Sequence, residues 1–224
     1  VERVLAIETS VPESSVSLWS GQVCLYSTDF LNGRNHNAKI FEVLQNVTEC
    51  LEGEVLSQIL VGTGPGSYSG VRVGIASAQG FAAVHHCPVV GIGSLSATSV
   101  AQGDTPSIAV GDARRGLYYI SKIVNGEAAE PVLMEAAEFQ GELEKAMAEQ
   151  TQVFSLDDPA GLDITSEIKN GITQAKPTSA LIANVWSKLN ENRKAELLAA
   201  IVEPVYLRPP FTSKAKSGHP LLRK

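Results

Sequence analysis

The sequence predicts an α/β protein of two related lobes, each a mixed sheet with a three-strand meander and flanking helices. Three observations predict it. A run of short strands with tight connections opens the chain and is followed by helix–strand–helix–strand order. A similar meander recurs about 104 residues later. In both copies an acid follows the first strand, Glu8 and then Asp112.

The elements follow in order. Val4-Leu5-Ala6-Ile7 is a short apolar run of the kind found in a buried strand. Ser15–Trp19 alternates, Ser20-Gly21 supplies a turn, and Val23–Ser27 reads as a third strand. Connections this short join antiparallel neighbours. From about Asn37 to Leu51, Ile40, Leu44, Val47 and Leu51 recur on one helical face, and Phe41 widens that stripe. Asn35 or Asn37 is placed to cap its start, and Gly53 ends it. Ser57–Thr63 is a strand, Ser69–Val84 a helix and Pro88–Ile92 a strand. Such an order puts helices on the faces of a mixed sheet.

The second copy begins at Ser107–Val110 and continues with a strand from Gly116 to Val124, an Asn125-Gly126 hairpin turn and a third strand near Pro131–Leu133. Glu135–Lys176 is weakly patterned. Leu181, Ile182, Val185 and Leu189 form a helical stripe, and Glu203–Leu207 reads as a last strand. Gly103–Pro106 is the expected joint, giving lobes at 1–103 and 104–208, with the tail 209–224 a candidate to join the first. A duplicated meander-plus-helix unit with an acid at each first strand's end is the pattern of actin-like phosphotransferase folds.

Apolar residues make up 44% of the 224 and charged residues 19%, which excludes a disordered chain. The net charge of −6 argues against an autonomous nucleic-acid binder. That charge is uneven. Arg208–Lys224 holds five basic residues and no acid, while residues 1–207 hold 13 basic and 24 acidic ones. The tail is read either as solvated or as a contact for an acidic partner or RNA phosphate through Lys214, Lys216, Arg223 and Lys224. Cys24, Cys50 and Cys87 are widely spaced, so neither a disulfide framework nor a zinc ribbon is indicated. With no apolar run near 18 residues and no signal-peptide core after Val1-Glu2-Arg3, the expectation is a cytoplasmic protein without a membrane span.

The densest local signal is the segment Gly62–Gly74, between a strand and a helix. Gly64, Gly66, Ser67, Gly70 and Arg72 mark this loop and helix start. Backbone N–H groups at a helix start can hold an anion. The segment fails the named phosphate motifs: Val71 stands where a P-loop needs Lys, and Ser67 or Ser69 where a dinucleotide fingerprint needs glycine. The rival reading is a tight turn with close backbone packing. The next helix is rich in small residues (Gly74, Ala76, Ser77, Ala78, Gly80, Ala82, Ala83), suiting close packing in a core or against another subunit. His36, His85, His86 and His219 form no HxxxH or HExxH pair, and His85-His86 reads as a helix-end surface pair. Glu8 and Asp112 either line a nucleotide cleft or hydrogen-bond to turn N–H groups.

Several blocks, in order, resemble the bacterial TsaB family: Val4–Ser10, Gly64–Gly74, Asp112–Tyr119 and Glu203–Arg208. They span residues 4–208; Glu135–Lys176 gives no recognisable match. The resemblance implies an actin-like (ASKHA) fold with ribonuclease-H-like lobes. It implies a non-catalytic subunit that binds and activates TsaD for threonylcarbamoyl transfer to adenosine 37 of tRNAs reading ANN codons. TsaE is then a further partner, tRNA is met through the complex, and a homodimer forms when TsaD is absent. The subunit interface would use His36, Ile40, Phe41 and Leu44 of the first helix and Val71, Val73, Ile75, Ala78 and Gln79 of the second. No intrinsic cofactor is implied, though there is room for a weakly held nucleotide at the junction with TsaD, and Glu8 and Asp112 become vestigial cleft acids. Catalytic relatives carry a metal-holding His-x-x-x-His pair after the strand matching Pro88–Ile92; Ser94 and Thr98 stand there. Two further departures are Glu8, where many relatives have Asp, and Asn37, where a Ser commonly follows the His. The alternatives are an ASKHA-type ATP-dependent kinase, leaning on Glu8, Asp112 and the glycine loop, and a metallopeptidase-like protein, which requires a metal.

Overall fold

In the computed structural model, described for residues 2–31 and 36–208, two mixed sheets carry the chain. The first is built from β1 (Arg3–Glu8), β2 (Glu13–Ser20), β3 (Val23–Leu31), β4 (Gln58–Gly62) and β5 (Val89–Ile92), in the order β3-β2-β1-β4-β5. The meander is antiparallel, while β4 joins β1 and β5 joins β4 in parallel. Parallel neighbours need a crossover. Helices α1 (His36–Leu51) and α2 (Tyr68–His85) supply it.

The period of two along β1 divides the core. Leu5 and Ile7 face α1 and α2, where Ile40, Val43, Leu44, Val47, Val71, Ile75 and Ala78 are buried with them. Ala6 faces the other way, onto Ile182, Val185 and Trp186. Each fully buried aliphatic side chain contributes roughly 1.5–3 kcal/mol.

The second sheet repeats the plan with β6 (Ser107–Asp112), β7 (Leu117–Val124), β8 (Glu127–Ala128), β9 (Val132–Glu135), β10 (Gln152–Ser155) and β11 (Ile172–Gln174). Its order is β11-β10-β6-β7-β8, with β9 also on β7. Asn125 and Gly126 both take positive φ, as a two-residue hairpin turn requires. The weakly patterned Glu135–Lys176 holds α3 (Ala136–Ala148), β10, a 3-10 turn at Pro159–Gly161, α4 (Ser166–Asn170) and β11. Here α4, of five residues, stands where the first lobe has the 18-residue α2. So short a helix leaves no period to read. The expected architecture, two mixed sheets each opening on a meander with helices on their faces, is the one observed.

Three expectations are corrected. Glu203–Leu207 forms no strand and joins no sheet; Val205 N–H bonds Thr63 O at 2.8 Å, and Pro204 beside it has no N–H for a ladder. The division at 103/104 falls between the sheets, yet the C-terminal lobe does not run to 208 as one body. Helices α5 (Ser179–Lys188) and α6 (Glu191–Ala199) return to cover the first sheet, α5 on β1, β2 and β4 and α6 on β5. Without them Ala6, Leu60 and Val90 would lose their apolar cover. In the α5 stripe Trp186 joins Ile182 and Val185, and Leu181 and Leu189, the latter at the helix cap, pack against them. The third correction is Phe41. It is 63% exposed and stands outside the buried α1 stripe, which Val43 completes instead. The proposed cap at Asn35 and the tail 209–224 lie outside the described residues, as does the Asn37 side chain.

Candidate functional site

The glycine-rich segment is a close-packing device at the start of α2. Ser67 caps the helix, its Oγ accepting Gly70 N–H at 3.2 Å. Its own N–H bonds Ser10 O at 2.7 Å, and Thr9 Oγ1 donates to Gly70 O at 2.8 Å. Gly66, Gly70 and Gly74 repeat every four residues on one side, and a Cβ on each would overlap Ser10, Thr9 O and Thr9 Oγ1 respectively. The helix thus lies directly against the turn after β1. Of the two readings of the loop, the tight packed turn is the one the contacts express.

That turn is organised by the first of the two acids. Glu8 is fully buried at the end of β1, and its Oε1 accepts Ser10 N–H at 2.6 Å. Asp112 does the same at the end of β6, its Oδ1 accepting Arg114 N–H at 2.6 Å. Both acids bond the backbone two residues on, which is an Asx-type closure of the strand end. Their surroundings differ. Asp112 lines a cleft of about 550 Å³ between the lobes, with Ser10, Tyr68, Arg114, Tyr119, Asp157 and Pro204–Arg208. Glu8 does not line it; its carboxylate sits under Gly62, where a Cβ would overlap it. Its Oε2 has no hydrogen-bond partner among the described residues. Burial pushes its pKa up, against the pull of the Ser10 N–H. The expectation of two cleft acids is therefore corrected: only Asp112 faces the cleft, and the pair cannot together hold a magnesium ion there.

Ser94 and Thr98 are fully buried and committed to the backbone. Ser94 Oγ accepts Gly64 N–H at 3.0 Å; Thr98 Oγ1 donates to Leu95 O at 3.3 Å and accepts Ala101 N–H at 3.2 Å. These hydroxyls do not fit the metal of the catalytic relatives, because neither offers an imidazole and neither is open to a ligand. His85 lies against Phe81 with ring centroids 4.7 Å apart, and His86 closes the helix in the left-handed region.

A groove of about 960 Å³ runs between α1 and α2. Phe41, Gln45, Thr48 and Glu49 form one wall, Arg72, Val73, Ala76, Ser77, Gly80 and Phe81 the other, and Ile40 and Leu44 its floor. The expected interface residues divide accordingly. Phe41, Val73 and Gln79 reach solvent to differing degrees. Ile40, Leu44, Val71, Ile75 and Ala78 are buried in the core, so they cannot themselves form an open docking face, although Ile40 and Leu44 floor the groove. The His36 side chain and Lys214, Lys216, Arg223 and Lys224 lie outside the described residues. A helix with small residues on every side carries a weak amphipathic signal, so the sequence does not distinguish the face bearing Val71, Ile75 and Ala78 from that bearing Arg72, Ala76 and Gly80. The 72–76–80 spacing was the available signal. Tyr68 and Tyr206, whose rings pair at 5.6 Å, had none.

The profile of the family described as TsaD, tRNA N6-adenosine threonylcarbamoyltransferase, matches residues 31–203. The chain is 33% identical over 145 residues to the tRNA threonylcarbamoyladenosine biosynthesis protein TsaB of Escherichia coli (strain K12), covering 58% of this chain and 62% of that protein. It is 31% identical over 121 residues to the protein of the same name from Bacillus subtilis (strain 168), covering 52% of each. The chain thus spans less than two thirds of these relatives' length. Among solved structures, YeaZ from Pseudomonas aeruginosa superposes with a TM-score of 0.64 at 17% identity, over 92% of this chain and 100% of that one. A second structure from that organism, described as similar to peptidase YEAZ, gives 0.67 at 19% identity, over 93% and 100%. These two share the fold.

Proposed function

The chain belongs to the TsaD family of tRNA N6-adenosine threonylcarbamoyltransferase proteins, and from that premise we propose that it is a non-catalytic subunit of the TsaB type. It binds and activates TsaD for threonylcarbamoyl transfer to adenosine 37 of tRNAs that read ANN codons. The observation that carries this reading is the apolar groove between α1 and α2, with a 63% exposed Phe41 on its rim. An aromatic left this open beside small residues is the surface a partner helix covers. The buried hydroxyls of Ser94 and Thr98 support the non-catalytic half.

On this reading the chain works in the cytoplasm with no cofactor of its own, TsaE joins the TsaD-bound form, and any nucleotide lies at the junction with TsaD. Without TsaD, the same groove pairs two copies of the chain. No helix among the described residues is long and apolar enough to cross a membrane. The basic residues Lys214, Lys216, Arg223 and Lys224 touch tRNA within the complex; deleting residues 213–224 then lowers the salt slope of complex–tRNA binding. The deciding experiment is co-purification with TsaD and TsaE, followed by a modification assay with and without this chain. A stable complex and chain-dependent modification are expected. Gel filtration with no TsaD heterodimer would overturn the proposal.

A further inference from the structure

We propose that Tyr206 is a positioning residue for the docking face: acting through Tyr68, it holds Arg72 at the rim of the groove, where Arg72 meets a carboxylate of the docked subunit. This deepens the docking reading above and rests on it.

The chain of support has three links. Val205 N–H bonds Thr63 O at 2.8 Å, which pins the C-terminal segment against the end of β4. The Tyr206 ring then packs on Tyr68 with centroids 5.6 Å apart and planes tilted by 35°. Arg72 in turn lies over the Tyr68 ring, its Cζ 4.6 Å from the centroid, and its Nη1 donates to the Tyr68 hydroxyl at 2.6 Å. Tyr68 and Tyr206 line the interlobe cleft while Arg72 lines the groove, so Tyr68 stands between the two cavities.

Among the described residues, no carboxylate lies within ion-pair distance of Arg72. A guanidinium laid on a ring at the edge of an apolar groove is a cation prepared for an acid that the occupant brings. A free arginine on a helix surface would have to give up its rotamer freedom on docking. Stacked on Tyr68, whose ring Tyr206 backs, it has already done so, and that preorganisation strengthens binding without adding a contact.

The test is a double-mutant cycle on TsaD binding, read by calorimetry at two salt concentrations, with urea unfolding of each variant as the folding control. Arg72→Ala is expected to weaken binding about tenfold or more and to flatten its salt dependence. Tyr206→Ala is expected to weaken it about three- to tenfold, the range of an aromatic pair. The double variant should then be no weaker than Arg72→Ala alone, and Tyr206→Phe, which keeps the ring, should bind as the wild type. Additive losses, or an unchanged Kd for Tyr206→Ala, would overturn the positioning role while leaving the docking reading standing. An unchanged Kd for Phe41→Ala would overturn the docking reading itself. Losses confined to self-association of the chain would overturn TsaD as the occupant.

Discussion

Replacing Phe41 by Ala separates docking from folding, because the side chain is divided between the two. A fully exposed phenylalanine presents about 200 Å². Phe41 is 63% exposed, so about 125 Å² remains for a partner to cover. At 25 cal/mol per Å² that is about 3 kcal/mol, an upper bound before the cost of ordering is subtracted. A loss of about 2 kcal/mol, or some thirtyfold in Kd for TsaD, is expected. The buried remainder of the ring is smaller, and Ala keeps its Cβ, so unfolding stability should fall by only about 1 kcal/mol. Calorimetric titration against TsaD and urea unfolding of the free chain give the two numbers. A stability loss equal to or larger than the binding loss would show that Phe41 is part of the core, and the reasoning would fail.

Three further outcomes follow from single sites. Glu8 holds its proton above the ordinary carboxylate value of 4.5, so over that range the folded state binds more protons than the unfolded one. Stability contributed by this group is complete below about 4.5 and is lost as pH rises toward the raised value; Glu8→Gln should flatten that slope in urea unfolding from pH 4.5 to 8, and parallel curves for the two proteins would count against it. Gly70→Ala sets a Cβ into Thr9 O and should destabilise by about 1–3 kcal/mol, whereas Gly80→Ala, with open space at its Cβ, should stabilise α2 by up to about 1 kcal/mol; thermal melts of the pair check both signs. Phe139, fully buried and stacked on Tyr118 at 4.6 Å, should cost about 3–5 kcal/mol when cut to Ala, measured by denaturant unfolding.

Much of the fold is legible wherever a pattern is local. The meander of β1–β3 shows in its short turns, α1 in the spacing of Ile40, Leu44, Val47 and Leu51, and the β7–β8 hairpin in Asn125-Gly126. The stretch containing α3, α4, β10 and β11 was not legible, since its strands run three to four residues and α4 only five. Of the candidate site, Phe41 and Val73 were within reach, but the buried and open faces of α2 could not be told apart from composition.

What the sequence by itself determined is the duplicated α/β plan and the family, because strand alternation, turn residues and glycine spacing are written along neighbouring positions. What only the tertiary structure decided is where the two acids face and which lobe owns the last helices. Glu8 and Asp112 close their strands by the same bond two residues on, yet one is sealed beneath Gly62 and the other opens on the cleft. Helices α5 and α6 follow the second sheet in the chain but cover the first. The first outcome depends on which distant backbone, here Gly62, closes over the strand end, and the second on which apolar sheet face must be covered; no local pattern records either.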